Sequence, residues 1–166
     1  EGVPAEEDGL EPRIQRFVKA CRKSAEGQPG QWGNKITTEQ LDLLEATAVP
    51  EKVKQAVLKH VVGRRRVVFV VRDGRSCVHS KLMRTEASYE EALQRWKKSV
   101  EWFKFLKQEA AHFYTLRFEE LLRHPDEQLS SLCQFLNVDY KSQMLEGTNS
   151  QSLLKDYRQA EINPSK

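Results

Sequence analysis

The chain has 166 residues, of which 39% are hydrophobic and 31% charged, with a formal net charge of +3 at pH 7. These totals fit one domain with its own core and argue against a general polyanion binder, so any anion site must be local and we expect no nucleic-acid partner. No apolar run reaches the roughly 18 residues of a membrane span, and the three distant cysteines, Cys21, Cys77 and Cys133, predict neither a disulfide framework nor a metal site.

The first third of the chain is predicted to be helical. Residues 1–9 are acidic, contain Gly and Pro, and are typical of a frayed lead-in. Because the chain begins at Glu1, we expect a processed, trimmed or partial product. A helix is predicted from Pro12 to about Ser24, and residues 27–33 are predicted to form a loop. Apolar residues of the helix recur at helical spacing: Ile14, Phe17, Val18 and Cys21.

A second helical stretch leads into the first strand. Thr37 or Thr38 is suited to cap a helix, and Pro50 is suited to restart it. Its predicted inward face is apolar: Leu41, Leu44, Ala48, Val53, Val57, Leu58 and Val61. After three arginines, residues 67–71 are all β-branched or aromatic, which indicates a buried parallel strand.

The longest helix has the clearest signals. A shorter helix is predicted first, over residues 75–83. Ser88 then forms an N-cap, and Glu91, three residues later, completes a capping box. The predicted apolar stripe of this long helix runs along one face: Tyr89, Ala92, Trp96, Val100, Phe103 and Leu106.

The last third predicts a second strand and the fold class. A strand is predicted over residues 112–118, a helical turn over 119–123 and a helix from Pro125, with Leu129, Leu132, Cys133 and Leu136 inward. The order of helices and strands predicts an α/β layer with a parallel sheet. Two strands are too few for a stable sheet, so we expect others to lie outside this chain or to have escaped the patterns. The predicted divisions are a lead-in (1–9), the main domain (10–146) and an irregular tail (147–166), with a short helix near Leu153.

The end of the first strand is a candidate anion site. Arg72 follows that strand, and ligands of open parallel sheets bind beyond the carboxyl ends of strands. The N-terminus of the next helix favours anions, and Ser80 and Arg84 lie four residues apart on one face of it. Arg matches phosphate oxygens in a bidentate manner. From the residues alone, an ordinary ion pair between Arg72 and Asp73 is the alternative.

The stretch Val71–Ser80 resembles the 3'-phosphate-binding motif of sulfotransferases that use 3'-phosphoadenosine-5'-phosphosulfate (PAPS). The resemblance implies that Arg72 and Ser80 bind the 3'-phosphate. It is closest to the tyrosylprotein sulfotransferase branch and related bacterial enzymes, which implies the same role for Arg84. The similarity extends from about Trp32 to Leu145.

Two further segments resemble that family. Leu116–Leu121, followed by His124 and Pro125, is similar to a strand and turn in which an aromatic residue lies near the adenine, which implies a cofactor-binding role for Phe118. Residues 32–35 resemble the segment that bears the catalytic lysine, so the resemblance assigns that role to Lys35. Without the resemblance, Lys35 reads as a solvated loop lysine.

The resemblance also implies a fold and indicates a missing part. The fold is a P-loop-NTPase-like α/β sulfotransferase fold with a parallel sheet flanked by helices. We expect it to be mainly helical here because the N-terminal strand, donor loop and helix have no counterpart in the sequence. We therefore expect that segment to lie on a separate chain, to have been removed, or to be absent.

The function predicted is transfer of a sulfuryl group from PAPS to a hydroxyl of a protein tyrosine, a carbohydrate or a small alcohol, with adenosine 3',5'-bisphosphate (PAP) as product and no metal. Activity would need the missing segment. The alternatives are a non-catalytic nucleotide-binding or interaction module and a nucleotide kinase fragment, although a kinase would need a Gly-x-x-x-x-Gly-Lys-Ser/Thr loop. The expected location is the cytoplasm, or the Golgi lumen if a membrane anchor lies in the missing region.

Overall fold

The computed structural model describes residues 9–23, 31, 33–45 and 48–145. These residues form two compact units. The first unit contains the described residues up to Val67 together with Gly74–Phe113. The second contains Val68–Asp73 and the described residues from Tyr114 onward. The predicted short helix near Leu153 and most of the predicted loop over 27–33 lie outside the described residues.

The first unit is built mainly of helices. Its helices are α1 (Leu10–Lys23), α2 (Thr38–Glu45), α3 (Pro50–Ala56), α4 (Gly74–Arg84) and α5 (Tyr89–Glu109). Helix α4 packs against α5, and α2 packs against both α1 and α5. The predicted helices are therefore present, although Ala48, which was predicted on the inward face of the second helix, lies in a bend beyond α2. The core is apolar and includes Ile14, Leu41, Leu44, Val53, Val57, Val62, Val78, Ala92, Trp102 and Leu106.

Beyond α3 the helix widens, which the sequence patterns did not predict. Residues Val57–Val62 form a π-helical segment, and the backbone N–H of Gly63 donates to the Leu58 carbonyl oxygen at 2.7 Å. Hydrogen bonds from residue i to i+5 widen the turn and bring Val62 closer to the side of Val57 than an α-helix would, and these two are the buried residues of the segment. The predicted inward face is confirmed at Val57, whereas Leu58 and Val61 are only partly buried and the buried Val62 was not predicted.

Helix α5 is capped as the sequence predicts. The backbone N–H of Glu91 donates to Ser88 Oγ at 3.3 Å, and the backbone N–H of Ser88 donates to the Glu91 carboxylate at 2.8 Å. The predicted stripe is wrong at its first member, because 61% of Tyr89 is exposed. At 100° per residue, Tyr89 lies roughly 100–140° around the helix from Leu106 and Trp102, and roughly 60° from Ala92, the third buried residue of α5.

The two strands form a small parallel sheet. They are β1 (Arg66–Val71) and β2 (His112–Arg117), hydrogen-bonded to each other. No other strand occurs among the described residues, and the sequence predicted both of these. The greater part of each strand, 68–71 and 114–117, belongs to the second unit.

The rest of the second unit is helical and follows β2. It contains α6 (Phe118–Arg123), α7 (Pro125–Leu136) and a 3-10 turn at Ser142–Leu145. The Tyr114 ring stacks on Phe135, with ring centroids 5.2 Å apart, and the Tyr140 hydroxyl donates to the Asp126 carboxylate at 2.6 Å. Phe118 is the first residue of α6 rather than the last residue of the strand, which corrects the predicted strand end.

Candidate functional site

The ends of β1 and β2 meet through side chains in the second unit. Arg72 directly follows β1 and is partly buried. Its guanidinium carbon lies 4.9 Å from the centroid of the Phe118 ring. A cation over an aromatic face at this distance is attracted by the ring quadrupole. The structure thus brings together two of the residues that the sequence assigns to nucleotide binding, although they are 46 positions apart.

A second contact joins the same two chain segments. The backbone N–H of Asp73 donates to Glu119 Oε1 at 2.7 Å. Glu119 follows Phe118 in the first turn of α6, as Asp73 follows Arg72 after β1. Two contacts therefore join the dipeptide Arg72–Asp73 to the dipeptide Phe118–Glu119. This pair of contacts fixes the backbone at the carboxyl end of β1, where open parallel sheets bind their ligands.

Helix α4, in the first unit, carries two more predicted site residues. Arg84 Nε donates to the backbone carbonyl oxygen of Ser80 at 3.1 Å. The Arg84 side chain therefore folds back along the helix face that Ser80 occupies, as expected for residues four apart. Ser80 is partly buried and Arg84 is exposed. The joint binding of one phosphate by these residues and Arg72 stays a prediction.

The first residue of α4 lies against an aromatic ring. A Cβ atom at Gly74 would lie 2.5 Å from Cζ2 and 2.6 Å from Cε2 of the Trp96 indole, on α5. Contacts this short do not occur in folded proteins, so only glycine fits here without a shift. Gly74 and Trp96 thus set how closely the N-terminus of α4 approaches α5.

We expect Gly74→Ala to lower the free energy of unfolding by about 1–2 kcal/mol. The displaced indole costs about 1–3 kcal/mol, as other overpacked substitutions do, and the higher helix propensity of alanine offsets up to about 1 kcal/mol of that cost. Denaturant unfolding of wild type and variant measures the difference.

Gly9→Ala is the matched control, because a Cβ at Gly9 meets nothing within 4 Å. It should change stability by less than about 0.5 kcal/mol. Adding Trp96→Phe removes the two clashing ring atoms and should restore part of the lost stability in the double variant. If Gly74→Ala proves as stable as Gly9→Ala, the close approach of α4 to α5 is wrong.

Lys35 lies in the irregular segment that precedes α2, in the first unit, and is exposed. The start of α2 is fixed by three contacts. The backbone N–H of Thr37 donates to Gln40 Oε1 at 2.8 Å, Thr38 Oγ1 lies 2.8 Å from Ser99 Oγ, and Lys81 Nζ lies 3.0 Å from the Glu39 carboxylate. The sequence predicted a Thr37 or Thr38 cap, and the structure shows the Gln40 side chain closing the helix start.

The ion pair between Glu39 and Lys81 connects α2 to α4. The backbone N–H of Glu39 itself, and then the Lys81 ammonium, hold the pKa of this carboxyl below its ordinary value, while partial burial acts in the opposite direction. Lys81 directly follows Ser80 on α4. The segment that bears Lys35 is therefore attached, four residues further on, to the helix that bears Ser80 and Arg84.

Sequence reasoning missed two residues of this region. Glu119 was predicted only as part of a helical turn, and no local pattern indicates that its carboxylate would bind a backbone N–H 46 residues away. Trp96 was expected in the apolar stripe, whereas its ring lies over Gly74. A glycine at the first position of a helix after a strand was the available signal, because such glycines mark close approach of another group.

Two other kinds of feature are absent from the part of the chain that the structure describes. Within residues 9–23, 31, 33–45 and 48–145, no cluster of three or more His, Cys, Asp or Glu side chains is arranged to hold a metal ion. Across the same residues, none of the helices is both long enough and apolar enough to cross a membrane.

Comparison with known proteins places these features in a family. The family model described as Sulfotransferase family matches residues 16–142. Protein-tyrosine sulfotransferase 1 of Danio rerio is 28% identical over 96 residues, which cover 53% of this chain and 27% of that protein. The chain thus spans about a quarter of the length of this relative. No solved structure gives a significant match.

Proposed function

Because the chain belongs to the sulfotransferase family, we propose that it binds PAPS and takes part in transfer of the sulfuryl group to a hydroxyl acceptor. The family match covers the strand ends, α4 and the segment of Lys35. Since the chain spans about a quarter of its relative, the activity of the whole protein is part of this proposal.

The contact between Arg72 and Phe118 is the observation that carries the proposal. A guanidinium supplies bidentate recognition of a phosphate, and a neighbouring aromatic ring supplies a face for a purine base. A nucleotide carries both a phosphate and a base in one small molecule. The residues present therefore suit an adenine nucleotide with an accessible phosphate, and PAPS carries one on its 3'-oxygen.

A phosphate-binding role is proposed for Ser80 and Arg84 as well, on the resemblance of this part of the sequence to the sulfotransferases. The Ser80 hydroxyl can donate to one phosphate oxygen, and the Arg84 guanidinium adds positive charge on the same helix face, where its Nε binds the Ser80 carbonyl oxygen. Helix α4 begins at Gly74, directly after Arg72 and Asp73. Its eleven residues give it a dipole whose positive end also favours an anion.

Lys35 is proposed as the residue that assists transfer. PAPS supplies the sulfuryl group, and negative charge develops on the oxygen that the group leaves. A lysine ammonium donating a hydrogen bond to that oxygen stabilises this charge more in the transition state than in the ground state. The ion pair between Glu39 and Lys81 supports this role, because it fixes the segment of Lys35 to α4.

Lys35→Ala is expected to lower kcat for sulfuryl transfer by about 10²–10³-fold, the usual effect of removing one donor to a developing oxyanion. The dissociation constant of PAP should change by less than about threefold, since the charge in question develops only during transfer. Transfer of labelled sulfate from PAPS to a hydroxyl acceptor measures kcat. Lys52→Ala, on the exposed face of α3, is the control and should leave kcat unchanged; equal losses in both variants would contradict the role of Lys35.

The proposed acceptors are the hydroxyls of a protein tyrosine, a carbohydrate or a small alcohol. The similarity to a protein-tyrosine sulfotransferase supports the first of these. The donor-loop segment, which has no counterpart in this sequence, is proposed to lie on a separate chain, to have been removed or to be absent. Transfer assays with the three acceptor classes, with and without that segment, distinguish these cases.

The proposal is tested by thermal unfolding with PAP, and with ATP as control. PAP at about 100 times its dissociation constant should stabilise the chain by about 2.7 kcal/mol, which raises Tm by roughly 5–10 °C. ATP, which lacks the 3'-phosphate, should give a much smaller shift. A larger shift with ATP would favour the nucleotide kinase alternative, and no shift with either nucleotide would favour a non-catalytic interaction module.

A further inference from the structure

We infer that Glu119 is a positioning residue of the proposed nucleotide site, because its carboxylate holds the backbone of the Arg72–Asp73 unit in the orientation that presents the Arg72 guanidinium to a phosphate. The inference rests on the proposed function and adds to it a residue that would not itself touch the nucleotide.

The hydrogen bond from Asp73 determines a torsion angle of Arg72. The Asp73 N–H, which donates to Glu119 Oε1 at 2.7 Å, lies in the same peptide plane as the Arg72 Cα atom. Fixing the direction of this N–H therefore fixes the ψ angle of Arg72 and, with it, the direction of the Arg72 side chain relative to the strand. Such a bond is charge-assisted, and bonds of this kind are stronger than neutral ones.

The Phe118 ring fixes the other end of the arginine. It lies 4.9 Å from the Arg72 guanidinium carbon, and Phe118 is covalently bonded to Glu119. The backbone and the head group of Arg72 are thus both held by one dipeptide at the start of α6. Because two contacts already restrict the Arg72 side chain, it loses less conformational entropy when it binds a phosphate. The site is in this sense pre-organised.

Its charge alone would make Glu119 unfavourable beside a phosphate site. A carboxylate repels a bound anion. If Glu119 acted only through its charge, its removal would therefore strengthen binding of the phosphate. If Glu119 acts by holding the backbone, its removal should weaken binding of the phosphate, because the Asp73 N–H at the end of β1 loses its hydrogen-bond acceptor. Substitutions that separate charge from hydrogen-bonding reach can therefore test the inference.

Glu120 provides a matched control. It lies beside Glu119 in the first turn of α6, where both carboxylates interact alike with the helix dipole. Glu120 pairs with Arg123 at 3.0 Å instead of binding Asp73. Glu120→Ala thus removes the same charge from the same helix start without touching the end of β1.

The experiment measures dissociation constants of PAP and of 5'-AMP by calorimetry for wild type and four variants. The preference for PAP over 5'-AMP should fall about tenfold in Glu119→Ala, which loses the acceptor, and in Glu119→Asp, which keeps the charge but is one methylene shorter. Glu119→Gln keeps an acceptor oxygen at the same reach, so its preference, like that of Glu120→Ala, should stay within about threefold of wild type.

This preference is a ratio between two nucleotides, so a general loss of stability does not imitate the expected result. If Glu119→Ala does not fold, the comparison of Glu119→Asp with Glu119→Gln carries the same test. A preference that survives in Glu119→Asp and Glu119→Ala overturns the inference and leaves the proposed function standing. A wild-type chain that does not prefer PAP over 5'-AMP overturns the proposed function, and the inference with it.

Discussion

Arg72→Ala is expected to abolish the selective stabilisation by PAP, so that the Tm of the variant is the same with PAP as with 5'-AMP. The guanidinium is the group that recognises the 3'-phosphate in the proposed site, and it is held by Phe118 at 4.9 Å. Loss of a bidentate, charge-assisted contact to a phosphate costs about 2–5 kcal/mol, or at least about thirtyfold in the dissociation constant. Thermal unfolding and calorimetry with both nucleotides measure the loss.

Two further variants show whether the loss is specific to the Arg72 guanidinium. Arg72→Lys keeps the charge but not the planar fork, and it should recover only part of the affinity. Arg123→Ala removes an exposed arginine that pairs with Glu120 in α6, and it should bind PAP like wild type. If Arg72→Ala retains the wild-type preference for PAP over 5'-AMP, the 3'-phosphate lies elsewhere and the assignment of Arg72 is wrong.

Trp102→Ala is expected to lower the free energy of unfolding by about 3–5 kcal/mol, the usual cost of truncating a buried tryptophan. Only 1% of Trp102 is exposed, and its ring packs edge-on against Phe105 with centroids 6.0 Å apart. The variant should therefore unfold at a clearly lower denaturant concentration than wild type. Chemical denaturation followed by circular dichroism measures the change.

Trp102→Phe is the informative comparison. The buried Trp102 Nε1 has no hydrogen-bond partner among the groups that the structure describes, and a buried unpaired N–H costs about 1–3 kcal/mol. Phenylalanine removes that donor, which offsets part of the lost packing, so Trp102→Phe should cost less than about 2 kcal/mol. A Trp102→Phe variant as unstable as Trp102→Ala would show that the Nε1 atom has an acceptor.

The elements with strong local signals could be predicted from the sequence. Ser88 and Glu91 satisfy each other's backbone donors within four residues, so the start of α5 depends on nothing distant. Strand β1 is equally local, because a run of valines with one phenylalanine, bounded by charged residues, suits a strand. Its predicted burial is wrong, since Val70 is 54% exposed and the other apolar residues of β1 are only partly buried. The α/β sulfotransferase assignment then followed from the residues around Arg72, and the family match confirms it.

What could not be predicted depends on geometry beyond the local pattern. The π-helical segment from Val57 to Val62 breaks the 3.6-residue period on which the helix predictions rest. The exposure of Tyr89 depends on which face of α5 its neighbours cover.

The contacts within the candidate site could not be predicted from the sequence either. The sequence assigned Arg72 and Phe118 to one nucleotide separately, through their resemblance to the sulfotransferases, and only the fold shows that they touch each other. Their second link, from the Asp73 backbone to Glu119, joins segments 46 residues apart and leaves no periodic signal in either. The nucleotide-binding and catalytic roles of all five residues stay predictions: Lys35, Arg72, Ser80, Arg84 and Phe118.

The structure of this chain with PAP bound is the most direct measurement. The account predicts 3'-phosphate oxygens about 3 Å from the Arg72 guanidinium, the usual distance of a charge-assisted hydrogen bond, with the adenine beside the Phe118 ring. A nucleotide whose 3'-phosphate binds away from the end of β1, with Arg72 still stacked on Phe118 and making no contact to it, would contradict the account.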